Sequence, residues 1–220
     1  AQIQERIATI CRSCDRDPGE VRLVAVSKKK PAEDIEEAIT AGQTLIGESY
    51  VQECAAKIDE VKADAEWHFI GALQSNKVKY LLGKVAMIHS VDRLSLAKEI
   101  DRQWGKDNGC IDILIQVNLG EEASKSGTTA SALIDLIGKV SKLQHVRVKG
   151  LMALPPWDAD PEKVRPFFRQ LRSLAEQIDA LHLENVAMRE LSMGMSHDYE
   201  VAIEEGSTMV RVGTASFGAR

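Results

Sequence analysis

Lys28 follows a β-branched run, Val21–Ser27, and precedes Lys29, Lys30 and Pro31. A lysine amine at a strand end can attack a carbonyl and form a Schiff base. The amine must be neutral, a form favoured by burial or by neighbouring cationic charge. Strand alternation sets Lys28 on one face with Val24 and Val26, and Leu23, Ala25 and Ser27 on the other. Both rows are apolar, so alternation leaves open which one faces inward. Taken alone, Lys28 also fits a solvated lysine of a basic triplet.

A second chemical group lies near the C-terminal end of the sequence. Ser192-Met193-Gly194-Met195-Ser196 precedes a short helical stretch, and Gly213-Thr214 follows a β-branched run. Glycines let backbone N–H groups approach an anion, and hydroxyls add donors. The plainer alternatives are an N-cap at Ser196 and an ordinary turn at Gly213. Arg211 shares parity with Met209 and Gly213, on the side of the proposed cradle; an outward salt bridge is its alternative. A lysine amine opposite an anion cradle suits a phosphorylated carbonyl compound, and pyridoxal phosphate (PLP) is one. An arginine facing its pyridine nitrogen would keep that nitrogen unprotonated, making the ring a poor electron sink.

The elements that must carry these residues are readable from periodicity. Strands are expected at Val21–Ser27, Thr44–Gly47, Glu66–Gly71, Met87–Val91, Asp112–Leu119, Arg147–Leu154, Glu190–Gly194 and Thr208–Gly213. Between them run amphipathic stretches at Pro31–Ala41, from Ser49, and at Ser75–Leu82, Asp92–Lys106, Thr129–Lys142, Asp160–Leu181 and Ser196–Glu205. Pro31 suits the first helical position, Ser49 with Gln52 fits a capping box, and Gly42, Gly83 and Gly105 fit C-caps. Strands alternating with helices predict an α/β fold, a single (β/α)8 TIM-type barrel over residues 1–220. An extra N-terminal helix, residues 2–14, is available for the eighth helical position. An open doubly wound sheet is the alternative, but its GxGxxG fingerprint is absent.

Such barrels do chemistry at the C-terminal ends of their strands. The polar residues expected there, besides Lys28 and the cradle, are Ser49, His68, Ser90 and Asn118, with Met152 in the sixth strand.

Composition narrows the class. With 220 residues, 44% of them hydrophobic, the chain can form one sizeable core; its net charge of −5 argues against general nucleic-acid or anionic-membrane binding. No apolar run reaches the length of a membrane helix, and the N-terminus lacks a signal-peptide core, so a cytoplasmic protein is expected; no long exposed apolar element is evident, so a monomer is expected. Cys11 and Cys14 form a CxxC, but no second ligand pair accompanies them. They are expected to face the core beside Ile3, Ile7 and Ile10.

Seven segments in order resemble the pyridoxal phosphate homeostasis protein family. They are VAVSKKKP (24–31), GESYVQE (47–53), WHFIGALQSNK (67–77), HSVD (89–92), IQVN (115–118), GLM (150–152) and LSMGMSHDYEVAIEEGSTMVRVGTASFGAR (191–220). The resemblance implies a fold like the N-terminal domain of alanine racemase, with PLP held as a Schiff base on Lys28. It implies phosphate contacts at Ser192, Gly213 and Thr214, and Arg211 at the pyridine nitrogen. The implied role is to bind, buffer and deliver the cofactor, affecting amino-acid and keto-acid balance without robust catalysis. Partners would be PLP-dependent apoenzymes or a regulatory protein. The sequence departs from the family at Ser49, where Asn is usual, and at Lys29, where Thr is common. Alanine racemase also needs a tyrosine from a second domain, and none of Tyr50, Tyr80 and Tyr199 can be placed in that role. A racemase using Lys28 as sole base, and a Schiff-base aldolase on a sugar phosphate, are the enzyme alternatives.

Overall fold

The computed structural model describes residues 2–120 and 126–213. Eight parallel strands close into a barrel in sequence order. They are β1 (Arg22–Val26), β2 (Leu45–Glu48), β3 (Glu66–Phe69), β4 (Met87–Val91), β5 (Ile111–Val117), β6 (Val146–Ala153), β7 (Val186–Met195) and β8 (Met209–Val212). Helices α1 (Gln2–Ser13), α2 (Ala32–Thr40), α3 (Val51–Glu60), α4 (Leu94–Trp104), α5 (Ala130–Val140), α6 (Arg165–Asp179) and α7 (Tyr199–Glu204) surround it. The stretch between β3 and β4 forms a 3-10 turn at Ser75–Tyr80 rather than an α-helix.

Alternation along each strand divides the apolar residues into two sets. One row packs outward under the helices, as Ile113, Ile115 and Ala25 do against the main core. The other fills the barrel axis with Val24, Leu45, Met87, Leu114, Met152 and Met209. The Val24 row therefore faces inward, which the sequence left open. β1 and β8 pair with Val24 opposite Arg211, so Arg211 faces inward too.

Helix α6 shows how the outer layer is held. Phe168, Leu171, Ala175 and Ile178 recur at helical spacing and are buried. Phe168→Ala is expected to cost about 3–5 kcal/mol, because the close-packed site cannot collapse fully. Urea denaturation measures it; a loss under about 1 kcal/mol would mean that α6 packs loosely.

Helix α1 covers β1 and β8, filling the eighth helical position. Ile7, Ile10 and Cys11 pack on Val21, Leu23, Val210 and Val212. Arg6 clamps α1 to α7 through Glu200 at 2.7 Å. Cys11 is buried, Cys14 is partly buried, and both are free thiols.

Several element ends differ from expectation. Pro31 is the N-cap of α2, one position before the helix proper. The Ser49–Gln52 capping box does not form, because α3 starts at Val51 with Tyr50 as its N-cap. Ser196 is not an N-cap either: α7 begins at Tyr199 after Asp198. Gly42 and Gly83 have φ of 91° and 69°, as C-cap glycines do. Gly105 is right-handed, and Asn108 supplies the left-handed residue there.

Candidate functional site

A cavity of about 490 Å³ opens at the C-terminal mouth of the barrel. Val26 lines it from the end of β1 and Lys28 and Lys30 from the β1–α2 loop, with Ser49 after β2 and Ile70, Gly71 and Ala72 after β3. Gln116, Ser126, Leu154, Met195, Ser196, Arg211 and Gly213 complete the wall. The titratable groups among these lining residues are Lys28, Lys30 and Arg211, all basic. Among the described residues, an anion entering this space meets three basic side chains and no carboxylate on the wall.

The loop bearing Lys28 is held from behind by a buried ion cluster. Lys57 Nζ donates to Glu48 Oε1 at 2.7 Å, Glu53 Oε1 at 2.7 Å and the Ser27 carbonyl at 2.6 Å. Ser27 Oγ donates to Glu48 Oε1 at 2.6 Å. Burial pushes the Glu48 carboxyl above the usual carboxylate range, opposed by the hydrogen bonds from Lys57 and Ser27. The Lys29 N–H donates to Glu53. Lys29 itself has φ of 61°, a left-handed kink in the chain between Lys28 and Lys30. Lys28 and Lys30 both reach the cavity, while Lys29 is exposed outside it.

On the neighbouring strand β8, Arg211 is buried and held at two points. Its Nη1 donates to Ser192 Oγ at 2.5 Å and its Nη2 to the Ala153 carbonyl at 2.9 Å. Burial lowers the guanidinium to about 10, partly offset by Asp198, so it remains a cation at neutral pH. Asp198 also accepts the Met195 N–H at 2.6 Å, fixing the turn that presents Ser196. Gly71 is a close approach between two rim loops: a Cβ there would lie 2.0 Å from the Ser49 carbonyl oxygen.

The chain matches the family described as "Alanine racemase, N-terminal domain" over residues 1–220. The pyridoxal phosphate homeostasis protein of Aquifex aeolicus is 47% identical over 221 residues, spanning 100% of this chain and 96% of that protein. The chain belongs to the pyridoxal phosphate homeostasis protein family. The protein of the same name from Escherichia coli K12 is 42% identical over 224 residues, spanning 100% of this chain and 94% of its own. Among solved structures, PipY of Synechococcus elongatus with PLP bound superposes with a TM-score of 0.85 at 37% identity. The match covers 96% of this chain and 100% of that one.

In this member of the family, the residues named from sequence fall into three sets. Lys28, Ser49, Arg211 and Gly213 share the cavity wall. Thr214 lies outside the described residues. The other residues are not on the wall. Ser192 is wholly buried, bonded to Arg211 and to His89 Nδ1 at 2.9 Å. His68 lies deep on the barrel axis, and Met152 is part of its apolar filling. Ser90 sits on β4, which contributes nothing to the wall, and its hydroxyl has no hydrogen-bond partner among the described residues. Gly194 faces α7, since a Cβ on it would lie 2.6 Å from the Ala202 Cβ. Asn118 gives its backbone N–H to the Thr128 carbonyl at the end of β5.

Sequence reasoning missed Ile70, Gly71, Ala72, Gln116 and Leu154 as wall residues and passed over Lys30. Gln116 had a usable signal, a polar residue in phase with inward Leu114. The family departure at Ser49 lies on the wall, where its side chain is shorter than the usual Asn.

Proposed function

We propose that this cavity holds pyridoxal 5′-phosphate joined to Lys28 as a Schiff base, and that the protein binds, buffers and delivers the cofactor. The observation that carries the reading is one cavity bearing both the Lys28 amine and the Arg211 guanidinium. The residues present fit the group. Gly213 and Ser196 would hold the phosphate through backbone and hydroxyl donors, with Lys30 and Arg211 as the basic groups nearby. Val26, Ile70 and Leu154 offer apolar surface for the ring. When bound, the cofactor supplies an aldehyde that condenses with a primary amine and a pyridine ring that withdraws electrons.

Arg211 is a donor only, and as a cation it opposes a second positive charge beside it. Facing the pyridine nitrogen, it would leave that nitrogen unprotonated. The ring would then stabilise a carbanion poorly, which suits storage better than turnover. A racemase-type reaction also needs a proton donor opposite the lysine. Among the described lining residues no tyrosine, histidine or carboxylate faces Lys28. Tyr50 and Tyr80 are exposed, and Tyr199 packs with the α1 cluster. The reading extends to a cytoplasmic monomer that passes cofactor to PLP-dependent apoenzymes, with room for a regulatory protein partner.

The test is borohydride reduction of the protein incubated with PLP, followed by peptide mass spectrometry. A pyridoxyl-phosphate adduct is expected on the peptide that contains Lys28. An unmodified Lys28, or an adduct confined to Lys30, would overturn the proposal.

A further inference from the structure

Beneath the cavity, a file of polar side chains runs from Arg211 down the barrel axis, and its members below Arg211 have no part in the function proposed above. Arg211 Nη1 donates to Ser192 Oγ at 2.5 Å. Ser192 Oγ lies 2.9 Å from His89 Nδ1, and His89 Nε2 lies 2.9 Å from His68 Nδ1. His68 Nε2 lies 2.7 Å from Glu66 Oε1. Ser192, His89 and His68 are wholly buried, in an interior otherwise filled by Val24, Leu45, Met87 and similar residues. Polar groups buried this way persist only when each donor meets an acceptor.

The hydrogens of this file have one consistent arrangement. Arginine only donates, so Ser192 Oγ accepts from it. The Ser192 hydroxyl hydrogen then has His89 Nδ1 as its acceptor among the described residues. Burial, with the nearby charges of Arg211 and Arg22, holds His89 well below the usual histidine range, so its ring is neutral. With Nδ1 bare, its one hydrogen sits on Nε2 and goes to His68 Nδ1. His68 then donates from Nε2 to Glu66. Read from the other end, the hydrogen bond from His68 holds the Glu66 carboxyl below the usual range against burial. An ionised carboxylate only accepts, so both ends require the same direction.

We propose that Ser192, His89 and His68 are positioning residues, a one-way hydrogen-bond chain that orients Arg211 and couples it to Glu66 at the opposite mouth. The part concerning the cofactor rests on the function proposed above. Bonds aligned in one direction polarise one another, so the acceptor at one end strengthens the donor at the other. Glu66 ends the chain at the floor, in a cleft of about 470 Å³ that it shares with Arg22 and Gln43. The charges around that end are Arg22, 3.5 Å from Glu66, and Glu190, 2.9 Å from Arg22. On β5, Asp112 pairs with Arg147 at 2.6 Å, and β2 brings only Leu45 and Gly47.

The test has two arms. In the full chain without cofactor, nitrogen-15 NMR is expected to find His89 and His68 both protonated on Nε2 and bare on Nδ1. A proton on His89 Nδ1 would overturn the chain without any variant being made. In the PLP-loaded protein, Glu66→Ala is expected to shift the visible absorption band of the cofactor. It should also weaken PLP binding roughly three- to thirtyfold, the range for mutations along a coupled network. Glu66→Gln keeps an accepting oxygen and should restore the parental band. A role in stability alone would lower Tm and leave the band in place, and that result would overturn the coupling. If the parent forms no Lys28 adduct, the proposed function fails, while the NMR arm still decides the chain.

Discussion

Lys28→Ala is expected to abolish borohydride-fixed PLP and to remove the visible band of the bound cofactor. Binding then rests on phosphate and ring contacts, and affinity should fall about a hundredfold, or about 2.7 kcal/mol. Mass spectrometry and an absorbance titration measure the two effects. The neighbouring Lys30 provides the control, because it lines the same cavity and forms an ion pair with Asp34 at 4.0 Å. Lys30→Ala should keep the adduct. Undiminished adduct in Lys28→Ala, carried by Lys30, would refute the assignment.

The second large effect is expected where nothing touches the cavity directly. Lys57→Met should destabilise the protein by about 3–5 kcal/mol, because it leaves the wholly buried Glu48 without its cation. The pH dependence follows from the direction of the Glu48 shift. Burial already raises its carboxyl in the folded state, and losing Lys57 removes the main opposing bond. The folded protein would then hold that proton more tightly than the unfolded chain, where glutamate titrates near about 4.3. The deficit should therefore be small below about pH 4, grow as pH rises, and level off above the folded value. Urea denaturation across that range measures it. The double variant Glu48→Leu/Lys57→Met should recover most of the loss, since replacing a buried pair with apolar groups is often neutral. A flat deficit from pH 4 to 8 would show that Glu48 finds another partner.

The barrel was legible because its signals are local. β-branched runs alternate with amphipathic stretches, and all eight strands appear where they were expected. β7 was the poorest match, beginning at Val186 rather than Glu190. Lys28 and Arg211 were legible as residues near strand ends, though which row faces inward was settled only by the packing of Val24 and Met209 on the axis. Depth along the axis was not legible. Alternation tells which face a residue takes, while its height depends on the stagger between strands, a property of the closed barrel. His68 and Ser192 have the right parity, yet they lie below the cavity, His68 opposite Gly47 and Met87 and Ser192 opposite Met209. Register shifts in β4 and between β7 and β8 moved Ser90 and Gly194 off the expected rim positions. The Glu48–Lys57 pair was equally hidden, because nothing in their spacing announces that α3 returns a lysine to the end of β2.

The packing of α1 bears on the order in which the chain is made. Ile7, Ile10 and Cys11 are synthesised well before Val210 and Val212, which they cover. Until β8 emerges, that helix has only part of its docking surface, and the edges of β1 and β7 stay unpaired. A ribosome-bound chain therefore displays an apolar stripe and open strand edges from the emergence of α1 until that of β8, a natural target for chaperones. Contacts between α1 and β8, far apart in sequence, also make ring closure a late and slow event in refolding.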